Sequence, residues 1–292
     1  MAITASMVKE LRERTGLGMM DCKRALEETD GDLEKAIEEL RKKSALKAAK
    51  KAGRTTADGL LGLKLAEDGS RAAIVEVNIE TDFAAKNEKF IAFVEKTVAQ
   101  LFDSADGDLQ GVMAAGLDAE RETLVQEIGE NISVRRGQVM TSDQGGLAVY
   151  LHGDNRKASV VKLSGKNDEL GKDIAMHVTA INPLVVRSED VPEDVLAKER
   201  EIYTTQANDS GKPADIVEKM VEGRVRKYLA EVSLVDQPFV KDPNEKVGAL
   251  AKAQGVEVEA FVRFEVGEGI EVEEEDFAAE VAAQIAESEG KD

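Results

Sequence analysis

The apolar positions along the chain change period several times. Over the first fifty or so residues they recur at helical spacing. Met7, Val8 and Leu11 follow Thr4, a residue suited to cap a helix, and Gly16 and Gly18 break that first helix. A second helix is expected over about 20–28. Gly31 and Asp32 then supply a stop and a new cap, and a third helix carries Leu33, Ile37 and Leu40 on one face. Residues 41–56 are rich in Lys and Ala and poor in large apolar side chains, which predicts a helical or flexible connector outside any core and a boundary near residue 55.

Beyond that boundary the period becomes two. Leu61, Leu63 and Leu65 alternate with Gly62 and Lys64, Glu67-Asp68-Gly69-Ser70 makes a turn, and Ala72, Ile74, Val75 and Val77 resume an extended pattern, so a β-hairpin is expected. The pattern returns 86 positions later, where Leu147, Leu151, Asp154 and Ala158 coincide with Leu61, Leu65, Asp68 and Ala72. Each hairpin is followed by a helical stretch, 90–101 or 170–181, and later by a strand, 132–140 or 256–266. The fold class is therefore α+β: a three-helix N-terminal unit, then duplicated subdomains in which helices cover one face of an antiparallel sheet, the two halves packing as one core. The domains expected are 1–55, 56–141, 142–266 and 267–292.

The second half carries an insertion over about 190–234, two polar helices broken at Asn208-Asp209-Ser210-Gly211-Lys212-Pro213. Val195, Ile202, Ile216, Met220 and Val221 are too sparse for a globule but suffice for a two-helix seam, a projecting antiparallel coiled coil. After Gly267 and Gly269 comes an acidic stretch, then Phe277, Val281 and Ile285 on one stripe of an Ala- and Glu-rich helix. Such a stripe packs back on its own domain or enters a partner's groove.

A formal charge of −19 disfavours a general nucleic-acid binder, because an acidic surface repels the phosphate backbone. The charge is uneven: Arg41, Lys42, Lys43, Lys47, Lys50, Lys51 and Arg54 form a basic stretch, whereas eleven acids from Glu265 onward face Lys291 alone. Both read as a solvated face and tail. MAITASMVKE lacks a secretory apolar stretch and no run is long enough to span a membrane, so a cytoplasmic protein is expected. The single cysteine, Cys22, excludes an internal disulfide and reads as core beside Met19 and Met20.

Catalytic chemistry is hard to find. No GxxxxGK[ST] or GxGxxG follows an expected strand, His152 and His177 fall on different elements without zinc-ligand spacing, and Glu273, Glu274, Glu275 and Asp276 lack the alternation of a calcium loop. No catalytic group, metal or cofactor is expected. His177 reads as a satisfied core histidine and His152, at a hairpin end, as a surface contact. What stands out is Asn78-Ile79-Glu80-Thr81-Asp82-Phe83 at a strand-to-helix corner. Thr81 or Asp82 suits a cap there. Phe83 either tucks into the core or, if exposed, forms a hot-spot pair with Asp82 worth roughly 1.5–3 kcal/mol in a partner.

Two long stretches carry a family likeness: Arg12-Glu13-Arg14-Thr15-Gly16-Leu17-Gly18-Met19-Met20-Asp21-Cys22-Lys23 and Glu76-Val77-Asn78-Ile79-Glu80-Thr81-Asp82-Phe83-Ala84-Ala85-Lys86-Asn87. They resemble the two signatures of bacterial elongation factor Ts. Gly211-Lys212-Pro213, Lys219-Met220-Val221-Glu222-Gly223-Arg224 and Phe264-Glu265-Val266-Gly267-Glu268-Gly269 resemble it too, so the likeness spans essentially the whole chain. Ala84 stands where the family favours Val, and Leu17 where Ala is commoner.

The resemblance implies a guanine-nucleotide exchange factor with a ubiquitin-associated-like first domain, and elongation factor Tu, a GTPase, as its partner. It implies that Asp82 and Phe83, after Thr81, press near the partner's magnesium ion and phosphate loop, displacing the ion. It implies further contacts through Arg12, Met19 and Met20, through His152 and through the C-terminal module with Phe277. No nucleic acid or membrane is implied, and a 2:2 assembly or a homodimer is allowed. Two competing classes differ in their signatures: a plain binding module would bind a GTPase regardless of GDP, and a metal-dependent hydrolase would lose turnover to a chelator.

Overall fold

The computed structural model of the chain describes residues 3–208 and 213–271. Its first helices are α1 (Ala5–Thr15), α2 (Met19–Glu28) and α3 (Leu33–Lys51). Thr4 Oγ1 accepts from Met7 N at 3.3 Å, and Asp32 Oδ1 accepts from Lys35 N at 3.1 Å. Gly16 stops α1 in the left-handed region, φ 73°, where a Cβ would be strained. Leu11, Leu17, Cys22, Ala25, Leu26, Ala36 and Leu40 close a core of their own. Cys22 is buried in it, and that burial pushes its thiol up against the lowering effects of Thr15 and Arg12, leaving an inert packing residue.

Residues 41–56 correct one expectation. Rather than a connector outside the core, α3 runs unbroken to Lys51, its buried Ser44 donates to Gln126 Oε1 at 2.6 Å, and Ala48 enters the next hydrophobic layer. Small residues let the helix approach closely, a contact that scarcity of large apolar side chains conceals.

The first sheet contains β1 (Asp58–Leu65), β2 (Arg71–Ile79) and, after α4 (Asp82–Ala85), α5 (Glu88–Asp103), α6 (Leu109–Val112) and α7 (Asp118–Ile128), β3 (Ile132–Thr141). The second contains β4 (Leu147–Leu151) and β5 (Lys157–Leu163). There follow α8 (Asp168–Ile181), α9 (Glu193–Asn208), α10 (Ala214–Val232) and α11 (Val247–Ala253), and then the last strand, β6 (Val258–Glu265). Both sheets are antiparallel and ordered first-second-third. The short helices α4, α6 and α11 span one or two turns, too little for a 3.6 period to register in the sequence.

Alternation along β2 sets the layers. Ala73, Val75, Val77 and Ile79 meet Phe90, Phe93, Val94 and Leu101 of α5, while Ala72 and Ile74 meet Leu147, Ala158, Val160 and Phe264 of the other sheet. Val161 and Leu163 of β5 turn outward to Ile174 and Val178 of α8. The order is helix, sheet, sheet, helix. Between the sheets lies Glu76, a fully buried carboxylate that accepts from Arg136 Nε at 2.5 Å, Arg135 Nη1 at 3.1 Å, Asn78 Nδ2 at 3.0 Å and Gly267 N at 2.9 Å. Consecutive arginines can both reach it because the β2–β3 register slips at Glu76/Val77 and leaves Arg135 unpaired.

The α9–α10 pair lies side by side, and of the residues expected in its seam Val221 is buried there while Ile202 and Ile216 are not. Ala207, Val217, Val221 and Val225 are buried with Leu196, Tyr203 and Leu229 packed on them, whereas Ile202 and Ile216 are 39% and 42% exposed. Positions 217, 221, 225 and 229 form one i, i+4 row, and Ile216 falls on its flank. His177 is buried as expected: its Nε2 lies 2.9 Å from Gln237 Oε1 and its Nδ1 accepts from Val240 N at 3.1 Å. Among the described residues no helix is long and apolar enough to cross a membrane. Phe277, Val281, Ile285 and the acids at 273–276 lie outside the described residues.

Candidate functional site

β2 delivers the chain to a corner. Its last residue, Ile79, is buried, and Thr81 adopts an extended conformation (φ −128°, ψ 154°) and caps α4, its Oγ1 accepting from Ala84 N at 3.2 Å. One turn of helix cannot bury every side. Ala84 and Ala85 face the core of the first half, so Phe83 points away and is 82% exposed. The exposed alternative for Phe83 is therefore the one the fold adopts, and Ala84 is small enough to seat the turn closely.

An exposed phenyl ring forgoes roughly 1.5–3 kcal/mol of burial, which makes it a feature that folding alone does not account for. Lys86 is its neighbour. The ammonium lies 5.4 Å from the Phe83 ring centroid and 2.7 Å from Asp82 Oδ2. That hydrogen bond is the chief reason the Asp82 carboxyl is held below the usual carboxylate range. Asp82 and Phe83 are thus presented together, one charged and one apolar, under a single flexible cation.

The corner is tied down from behind. Glu130 accepts from both Thr81 N (2.9 Å) and Thr81 Oγ1 (2.8 Å), and Glu80 Oε1 accepts from Asn131 N at 2.5 Å. Sequence reasoning quoted Glu80 and Lys86 within the motif without giving either a role, and did not find Glu130. Lys86 sits four residues from Asp82 and was within reach of the i, i+4 rule, whereas Glu130 is 49 residues from Thr81 and gives no local signal.

Of the other expected contacts, His152 is exposed at the β4–β5 turn, its Nδ1 3.3 Å from the Tyr150 hydroxyl. That turn lies at the same end of the fold as Phe83: Asn155 O accepts from Leu61 N at 2.8 Å, Arg156 is paired with Asp58, and Asp58 is the register partner of Ile79. Arg156 also contributes to lowering the Asp82 carboxyl. Arg12, Met19 and Met20 flank the Gly16 turn, with the two methionines 57% and 64% exposed. Arg12 and Met19 line one open groove of about 420 Å³ with Val8, Lys9 and Lys23, and Met20 stands outside it. The Gly16 turn faces Glu127 of α7, whose carboxylate pairs with Lys89 at 2.7 Å on the first turn of α5. Phe277 lies outside the described residues. No cluster of three or more metal-ligating side chains occurs among the described residues.

The corner therefore presents an exposed ring and a carboxylate side by side on a braced one-turn helix. Such a pair offers a ring for burial and a charge for pairing.

Residues 80–268 match the family model described as elongation factor TS. Over 284 residues the chain is 60% identical to the elongation factor Ts of Hahella chejuensis, covering 97% of this chain and 99% of that protein. The elongation factor Ts of Saccharophagus degradans is 57% identical over 288 residues, 99% of each chain. That of Methylococcus capsulatus is 54% identical over 291 residues, 98% of this chain and 99% of the other.

Proposed function

The chain belongs to the elongation factor Ts family, and on that premise we propose that it is a guanine-nucleotide exchange factor of translation elongation that binds elongation factor Tu carrying GDP. It promotes GDP release by disturbing the partner's magnesium and phosphate site, and it acts through binding without hydrolysing anything. The exposure of Phe83 carries this reading: an 82% exposed ring on a braced one-turn helix is a side chain waiting for a pocket.

GDP is retained by phosphate contacts to backbone N–H groups and a Lys, and by magnesium. Phe83 acts as the wedge that shifts those elements, and Asp82, released from Lys86, makes the polar contact that redirects a partner loop. Linkage requires that bound GDP weaken the wedge's hold by the factor by which the wedge weakens GDP. The equilibrium between GDP and GTP in solution is untouched.

We assign supporting contacts to Arg12, Met19 and Met20 on residues 1–55, read as a ubiquitin-associated-like domain, and to His152 on the second half. Residues 56–141 and 142–266 are the two core subdomains, about 190–234 a coiled coil, and 267–292, with Phe277, a further module that grips the partner. The setting is the cytoplasm, and the assembly is a 2:2 complex or a homodimer.

The test is stopped-flow release of fluorescent GDP from elongation factor Tu. The native chain should accelerate release strongly, and Phe83→Ala should slow stimulated release by about tenfold to a hundredfold, as expected from roughly 1.5–3 kcal/mol of ring burial. Native-rate exchange by a well-folded Phe83→Ala protein removes the wedge. A stable complex that is insensitive to GDP removes the exchange function.

A further inference from the structure

A wedge has to be stiff. If Phe83 yields when it meets the partner, the partner's phosphate site does not move, and α4 has too few residues to hold its own shape: a single isolated turn is unstable in water. Whatever fixes the direction of Phe83 must therefore come from outside α4. Packing of Ala84 and Ala85 fixes one side. The other side is fixed by a clasp between two corners of the fold.

Two carboxylates from neighbouring corners each reach across to the backbone of the other. Glu80, before α4, takes the N–H of Asn131, and Glu130, before β3, takes the N–H of Thr81. Glu130 does more. Its second oxygen takes the Thr81 hydroxyl proton at 2.8 Å, which leaves the lone pairs of that hydroxyl free to accept from Ala84 N. The proton of the cap is thereby committed backward and its acceptor forward, toward the first turn of α4. Gly129, at φ 90°, turns the chain so that Glu130 can reach, and Lys51 of α3 is bonded to the Gly129 carbonyl. Asn131 Nδ2 donates to Arg54 O at 3.0 Å. The clasp therefore also ties the Phe83 corner to the chain arriving from the first helical unit.

We propose that Glu130 is a positioning residue for nucleotide exchange: by holding the backbone and hydroxyl of Thr81 it fixes the direction in which Phe83 leaves the fold, so that the ring pushes instead of yielding. This rests on the assignment of Phe83 as the wedge. Preorganisation of this kind favours the state in which the partner has lost GDP, because only that state needs the ring held in one direction. Encounter with the partner relies on surfaces elsewhere and does not need it.

The experiment is GDP release from elongation factor Tu as a function of factor concentration, with the full chain, Glu130→Ala, Glu130→Gln, Thr81→Val and Phe83→Ala measured side by side with their thermal midpoints. Glu130→Ala should lower the maximal release rate about fivefold, the scale of a lost charge-assisted bond at a solvent-accessible site, while the half-saturating concentration stays within about twofold. Thr81→Val should do the same from the other side of the clasp, and it stands in if Glu130→Ala does not fold. Glu130→Gln keeps one acceptor, for the Thr81 N–H, and loses the one for the hydroxyl, so its maximal rate should fall between those of the full chain and Glu130→Ala. Native maximal rates for Glu130→Ala and Thr81→Val beside an impaired Phe83→Ala overturn the clasp alone. A fall in rate that tracks a lowered thermal midpoint and a raised half-saturating concentration also overturns it, since that is a structural defect. Native rates for all the variants remove the reading of Phe83 on which the clasp depends.

Discussion

Replacing Glu76 by Ala should be among the most damaging single changes in this protein. The carboxylate is fully buried between the two sheets, where burial pushes its pKa up, yet the Gly267 N–H, Asn78 and Arg136 outweigh that effect and hold it below the usual range. Four donors converge on it: two guanidiniums, a side-chain amide and a backbone N–H. Ala leaves them without their common acceptor. The Arg135 and Arg136 side chains are 29% and 31% exposed, so water recovers part of the loss, whereas Asn78 is buried and keeps only the Asp58 carbonyl, at 3.2 Å, for its amide. Breaking a buried pair from one side costs about 3–5 kcal/mol. For a chain of this size each kcal/mol moves the thermal midpoint by about 2–4 °C, so a drop of roughly 6–20 °C follows. Calorimetry of the native and Glu76→Ala proteins at pH 7.5 measures it, and a drop under about 2 °C would show that the network contributes little. The same network has a pH signature. Because the folded carboxyl titrates below its unfolded counterpart, its contribution is full above about pH 4.3 and is lost as pH falls through the lowered folded value.

His177 works in the opposite direction on the pH scale. Burial lowers its pKa in the fold, against a smaller raising effect from Gln237, so on acidification the unfolded chain takes up a proton that the native one refuses. Stability should fall by up to about 1.4 kcal/mol per pH unit below about pH 6.5, in urea titrations at pH 7.5 and 5.5, and a His177→Gln variant should lose that part of the dependence. If native and variant proteins change equally between the two pH values, the neutral buried imidazole is wrong. In the α9–α10 pair, Val221→Ala should cost about 1–2 kcal/mol and Ile202→Ser nearly nothing, because Val221 is 5% exposed and Ile202 39%. Equal effects in urea melts would mean that the seam runs along the other face.

The amino-acid sequence by itself determined whatever depends on a few consecutive residues. The hairpins were legible because alternation has period two and the turns are marked by Asp68-Gly69 and Asp154-Asn155. The first three helices were legible from Thr4, Gly16 and Asp32, and the repeat from the matching hairpins. The Thr81-Asp82-Phe83 corner was visible as a motif. Its exposure was not, because it depends on Ala84 and Ala85 reaching a core assembled from β2, α5 and α7. Equally out of reach were Ala48 as a core residue, the flank positions of Ile202 and Ile216, and the pairing of Glu76 with Arg135 and Arg136. Those were decided by tertiary structure for one physical reason. Turn chemistry and side-chain period act through neighbours along the chain, whereas the register slip that brings Arg135 to Glu76, and the corner that brings Glu130 to Thr81, arise only when strands far apart in sequence have paired.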